Sequence, residues 1–217
     1  MNEHTSKKFD AELEGIRTRV LQMGGMVELQ IVKAMEGLSD GDLLLIDQVI
    51  ENDNRVNHLE IELDEACNQI IAKRQPTAVD LRMISTVQKT ITDLERIGDE
   101  AKKIAKTAKQ LHTTGSNFTP QIRLAHIATA VVDMLRTSLD AYARLDTISA
   151  AQVVRQDKEV DAEFKGIMRQ LITYMMEDPR TISQSIELMF VAKSVERIGD
   201  HAKNIAEYVV YMVKGRD

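Results

Sequence analysis

An eleven-residue phrase occurs twice in this chain, as ERIGDEAKKIA at Glu95–Ala105 and as ERIGDHAKNIA at Glu196–Ala206, 101 residues apart. A second pair lies upstream. Asp53-Asn54-Arg55-Val56-Asn57 is matched by Asp157-Lys158-Glu159-Val160-Asp161, 104 residues on. A repeat of this length is a duplicated domain and not a solenoid unit. Whatever one half folds into, the other half must fold into as well. The two offsets differ by three residues, and the difference falls near Pro76 and Pro179, where a turn absorbs it cheaply.

Apolar residues recur at steps of three and four. Ile84, Val87, Ile91, Leu94, Gly98, Ala101, Ala105 and Ala108 form one such seam. Val49, Val56, Leu63 and Ile70 form another at steps of seven, as do Val153, Val160, Ile167 and Tyr174. Aromatic residues are 4% and Trp is absent, while Ala, Leu, Ile, Met, Glu and Lys dominate, which favours helix over sheet. Thr119-Pro120 and Asp178-Pro179 each read as an N-cap followed by proline at N1. Thr77 with Asp80, and Ser39 with Asp42, read as further helix starts. The pattern predicts six helices, at about 6–37, 39–74, 77–112, 119–144, 147–176 and 179–213. Thr113-Thr114-Gly115-Ser116-Asn117 is the linker. The expected fold is all-α: two tandem antiparallel three-helix bundles related by internal duplication, over 1–114 and 118–217.

The net charge of -6 argues against nucleic acid as a partner, since phosphate backbones need a basic field. A single cysteine, Cys67, excludes an intrachain disulfide framework. No apolar run approaches the ~20 residues of a membrane span, and MNEHTSKKFDAELEG has no apolar signal core. A cytoplasmic location is expected.

The repeated phrases concentrate acids that should repel. Glu95 and Asp99 stand four residues apart on one helix face, as do Glu196 and Asp200. Like charges at that spacing destabilise an isolated helix by roughly 0.2–0.5 kcal/mol, and the intervening Gly98 and Gly199 add about 1 kcal/mol each. Upstream, Asp53 with Asn57 and Asp157 with Asp161 have the same spacing. Counting outward from the turns near 76 and 178 brings each upstream pair level with its ERIGD pair across a helical hairpin. The heptad phase puts them beside the core seam, at the bundle surface. Two unit charges ~6 Å apart repel by roughly 3 kcal/mol at an effective dielectric near 20.

A solvated helix face would explain one such pair. Acid opposite acid, twice over, points to a bound cation. Candidate ligands are Asp53, Asn57, Glu95 and Asp99 in the first half and Asp157, Asp161, Glu196 and Asp200 in the second. Oxygen donors suit Mg, Mn or Ca, with iron possible. The glycine would let a helix or a ligand approach closely. His201 points away from Asp200, and His4, His58, His112 and His126 show no metal spacing. Asn57 leaves the first set with three carboxylates against four. Lys103, four residues beyond Asp99, would compete with a metal there. The second half is therefore expected to bind more tightly.

The duplicated bundles with ERIGD on each last helix closely resemble the PhoU family of bacterial phosphate-signalling regulators. Pro76-Thr77-Ala78-Val79-Asp80-Leu81-Arg82 and Asn204-Ile205-Ala206-Glu207 carry further likeness. The resemblance covers essentially the whole chain, with departures at Asn57 and Lys103. It implies metal clusters, often of iron or zinc, on the acidic motifs. It implies a non-enzymatic adaptor that links a phosphate ABC transporter ATPase to a membrane sensor histidine kinase. Such an adaptor represses the starvation response, commonly dimerises, and meets the membrane only through those partners. The alternative from the residues is a carboxylate-metal enzyme such as a phosphohydrolase; no general base or basic phosphate clamp stands out to support it.

Overall fold

The structure is a computed structural model, and it describes residues 7–113 and 124–215. The described residues form six long helices: α1 (Lys7–Asp40), α2 (Leu43–Arg74), α3 (Ala78–Thr113), α4 (Leu124–Arg144), α5 (Thr147–Glu177) and α6 (Ile182–Lys214). No strand occurs among the described residues. Each half is an antiparallel three-helix bundle, α1–α3 and α4–α6. The Thr119-Pro120 cap, most of the linker and the expected domain boundaries at 114 and 118 lie outside the described residues.

Local chemistry sets the turns. Helix α1 runs through Ser39 to Asp40, past the expected break. Gly41 then takes φ 72°, and the cap of α2 is Asp42, whose carboxylate accepts from the Leu44 and Leu45 N–H groups at 3.0 and 3.1 Å. Asp42 offers a carboxylate to the orphan N–H groups where Ser39 would offer only a hydroxyl, and glycine meets the left-handed geometry without strain. Asp146 caps α5 in the same way. Asp178 accepts from the Arg180 N–H and opens a single 3₁₀ turn, Pro179–Thr181, before α6 begins at Ile182.

The α3 seam from Ile84 to Ala108 is buried as expected, and so are Val49, Val56, Leu63, Ile70, Val153, Val160 and Ile167. Tyr174 is only half-buried. A second stripe on α3 was not anticipated. Thr86, Thr90, Asp93, Ile97, Glu100 and Ile104 are all buried, again at steps of three and four. Its repeat mate on α6 is Val191, Ser194, Ile198, His201 and Ile205. These stripes bring α3 and α6 together antiparallel. His201 Nδ1 lies 2.6 Å from Asp93 Oδ1, and Arg197 Nη1 lies 2.9 Å from Glu100 Oε1. Helix α4 also packs on α1, where Arg136 bonds Glu28 and Gly24 admits Leu139. The two bundles therefore share one continuous apolar core.

The repeated glycine has a packing role. A Cβ on Gly199 would sit 3.0 Å from Val131 Cγ1 and 3.5 Å from Val160 Cγ1. One on Gly98 would sit 3.2 Å from Gln30 Oε1, 3.4 Å from Val56 Cγ1 and 3.5 Å from Asp53 Oδ1. Each glycine lets its helix approach the other two of its bundle at the level of the acids. Gly166, by contrast, faces open space. Gly199→Val should therefore destabilise the protein by about 1–3 kcal/mol through overpacking. Gly166→Ala should stabilise it by up to about 1 kcal/mol through helix propensity alone. Urea unfolding measures both, and equal effects at the two positions would contradict this packing.

Candidate functional site: two lysine-filled carboxylate clusters

The hairpin register brings the upstream and ERIGD acids together in both halves. Burial raises the pKa of Glu95, and the charges of Asp99, Glu60 and Asp53 raise it further. Asp200 behaves alike: burial first, then Glu196, Asp157 and Asp161. Every expected carboxylate thus lies within electrostatic reach of its set. Two of them are not at the surface. Asp53 is fully buried and Asp157 is 6% exposed. Gly98 and Gly199 make that depth available by drawing the helices together.

Each cluster contains a cation supplied by the chain itself. Lys102 Nζ donates to Asp53 Oδ2 at 2.7 Å, and Lys203 Nζ donates to Asp157 Oδ2 at 2.9 Å. The bond to Asp53, with the nearby charges of Asp99 and Glu95, raises the pKa of Lys102. Asp157, with Glu207 and Asp200, does the same for Lys203. The ammonium offsets the cost of burying a carboxylate, which without a partner amounts to several kcal/mol. The signal was in the sequence: both copies of the repeated phrase carry lysine three residues after the second acid.

Lys103 does not compete at the first cluster. It donates to Glu100 at 2.9 Å, on the face toward α6. Glu60 is a further acid that the spacing did not reveal, because it lies seven residues beyond Asp53 on α2 and outside both motifs. It faces Glu95 and brings the first set to four carboxylates. Its repeat mate is Phe164, so the repeat gave no hint of it. His201 is buried and committed to Asp93. His112 Nε2 meets the Leu38 carbonyl and His126 meets Glu163. His4 lies outside the described residues.

Among the described residues no group of three or more His, Cys, Asp or Glu side chains is placed to hold a metal ion as it stands. The donor chemistry nevertheless fits a hard cation. Asp53 Oδ1, Asn57 Oδ1 and both amide atoms of Gln30 are buried without a hydrogen-bond partner. Gln30 Oε1 and Asp53 Oδ1 both border the gap at Gly98. A divalent ion would satisfy orphaned oxygens and relieve the repulsion that raises Glu95 and Asp200. It would have to compete with an ammonium already in place.

The PhoU domain family model matches residues 20–108 and again 124–209. The chain belongs to the PhoU family. The two matched stretches coincide with the two bundles, so the duplication read from the sequence is the family's own. Over 217 residues the chain is 47% identical to the phosphate-specific transport system accessory protein PhoU homolog of Pseudomonas aeruginosa, covering 100% of this chain and 90% of that protein. It is 49% identical over 218 residues to the phosphate-specific transport system accessory protein PhoU of Escherichia coli K12, with the same coverage. The crystal structure of PhoU from Pseudomonas aeruginosa superposes with a TM-score of 0.92 at 48% identity, over 96% of this chain and 100% of that one. The phosphate transport system regulatory protein PhoU from Streptococcus pneumoniae gives 0.89 at 25% identity, over 96% and 98%.

The raised carboxyls carry a pH dependence. A carboxyl whose folded pKa lies above its unfolded value of about 4 favours the folded state only when protonated. Its contribution is lost as pH rises from the unfolded value through the folded one. Glu95→Gln with Asp200→Asn should flatten that decline in metal-free protein and raise the Tm at pH 7. Thermal melts from pH 4 to pH 7 test this. A lower Tm at pH 7 in the variant would show that these carboxylates hold the fold together.

Proposed function

We propose that this protein regulates phosphate uptake and signalling as a non-enzymatic adaptor. In this reading it links the ATPase of a phosphate ABC transporter to a sensor histidine kinase, with metal-loaded carboxylate clusters as part of its working state. The single observation that carries it is full-length similarity, at 47% and 49% identity, to proteins named as accessory to phosphate-specific transport. The streptococcal structure bears the name of a regulatory protein of the same transport system.

Surface chemistry supports a role in protein contacts. Ile182, Ile186 and Phe190 stand four residues apart on α6, and all three are exposed. Ile172 and Met176 are exposed on the neighbouring α5. An apolar face of this kind is what a docking partner or a second copy would cover. No described helix is long and apolar enough to cross a membrane, so attachment through partners is the route this reading uses.

Metal binding is part of the same proposal. With Glu60 included, each half has four carboxylates and one internal lysine, so the two halves should bind with similar affinity. The earlier grounds for a tighter second site are gone, because Lys103 faces Glu100 and Glu60 replaces the charge missing at Asn57. Mg, Mn, Fe and Zn should each be tested by thermal shift. An ion filling both sites at a hundredfold excess over its Kd should raise the Tm by about 10–20 °C. Glu95→Gln/Asp99→Asn and Glu196→Gln/Asp200→Asn should each lose about half of that shift. Full retention of the shift in both variants would remove the clusters as the metal sites.

The regulatory role has its own test. Deleting the gene should switch on phosphate-starvation genes in phosphate-rich medium. Unchanged expression in the deletion strain would overturn the proposal.

A further inference from the structure

The first half carries a groove that the carboxylate clusters do not use. Ser85, Gln88, Lys89, Thr92, Asp93 and Arg96 of α3 line it, with Tyr208 of α6 closing the far wall. Its volume is about 440 Å³. Lys89 and Arg96 stand seven residues apart on one face of α3, so their charges enter the groove about 10 Å apart along the helix.

Neither cation has a carboxylate within ion-pair distance among the described residues. The contacts of Lys89 are aromatic: its Nζ lies 5.4 Å from the centre of the Tyr208 ring and 5.2 Å from that of Tyr211. Such contacts orient an ammonium without neutralising it. Arg96 acts at a distance on Glu95, whose pKa it lowers slightly against the larger upward pull of burial. The one acid in the lining, Asp93, is 3% exposed and turned toward α6. There it meets His201 Nδ1 at 2.6 Å and Asn204 Nδ2 at 3.3 Å. In a chain of net charge -6, two cations free of acidic partners in one polar groove need an explanation.

The duplication supplies an internal control. The positions of α6 that match Ser85, Lys89 and Arg96 are Ile186, Phe190 and Arg197. Arg197 is bonded to Glu100, and Ile186 and Phe190 are apolar and exposed. Thr107 stands where the first groove has Tyr208. Lys89 therefore belongs to the first half alone, whereas the arginine recurs in both halves and is committed to an acid, Glu100, only in the second.

We infer that this groove binds a tetrahedral phosphoryl oxyanion, either free inorganic phosphate or the phosphate of a small monoester. The ammonium of Lys89 and the guanidinium of Arg96 would hold it by charge-assisted hydrogen bonds, and the Ser85 hydroxyl stands ready as a neutral donor. The groove has room for an ester substituent beside the tyrosine rings.

Phosphorus NMR and calorimetry on the full chain at low ionic strength test the inference, with inorganic phosphate, phenyl phosphate and sulfate as probes. Saturable binding of phosphate, with sulfate competing, is the expected result. Phenyl phosphate binding more tightly than phosphate would assign the site to monoesters; the reverse order would assign it to the free ion. Lys89→Gln and Arg96→Gln should each weaken binding about tenfold or more, and Lys193→Gln in the second half should not. Circular dichroism melts establish that the variants fold. Amide chemical-shift mapping on the wild-type protein locates the contact without any variant. Absence of saturation by either phosphate probe would overturn the inference, as would shifts confined to another region or equal weakening by Lys193→Gln. The test is independent of the regulatory role, which the deletion strain addresses.

Discussion

The antiparallel contact between α3 and α6 is the constraint on which the rest of the molecule depends. Each of these helices is buried on two faces. One face completes the core of its own bundle, and the other meets the repeat mate of itself. The second contact is polar at its centre, where Asp93 meets His201 and Glu100 meets Arg197. Buried charges of this kind cost several kcal/mol when their partner is lost, so they tolerate only one register. Apolar contacts from Ile97, Ile104, Ile198 and Ile205 on the same faces supply the attraction. The polar pairs decide how the two bundles are set against each other.

That arrangement leaves the other face of each ERIGD segment to the acids. Gly98 and Gly199 bring their helices close to the upstream helices α2 and α5. This is why Asp53 and Asp157 are buried and not washed by solvent. Burial makes a compensating cation necessary, and Lys102 and Lys203 provide it. The clusters are thus built to hold positive charge whatever its source. A metal bound there would have to take the place of an ammonium that already stabilises the fold.

Duplication also shows where the halves have diverged. Glu60 corresponds to Phe164 in the repeat, Lys89 to Phe190, and Ser85 to Ile186. The first half has become more polar and more charged along these surfaces, and the second more apolar. The shared seams stay mostly apolar because both bundles need the same packing, with Ser185 against Ile84 and Tyr174 against Ile70 as exceptions. Glu60, Ser85 and Lys89 lie outside those seams, where packing constrains the residue type less.

The helical class, the six helices, the duplication and the pairing of the acidic motifs were all legible in the sequence. Each follows from periodicity and spacing within one helical hairpin, and those are local quantities. Four things were not. The second stripe on α3 was hidden because Thr86, Thr90, Asp93 and Glu100 do not read as core until a partner helix covers them. Lys102 was passed over in favour of its neighbour Lys103. On a helix, adjacent residues point about 100° apart; Lys103 meets Glu100 three residues back on its own helix, and only the packing of α2 on α3 shows that Lys102 is the one that meets Asp53. Glu60 and the Lys89 groove depend on side chains from different helices arriving at one place. The sequence by itself therefore determined the elements and their internal register. Tertiary structure alone decided which polar groups are buried, and so which charges need a partner, because burial is a property of neighbours that spacing along one chain segment does not record.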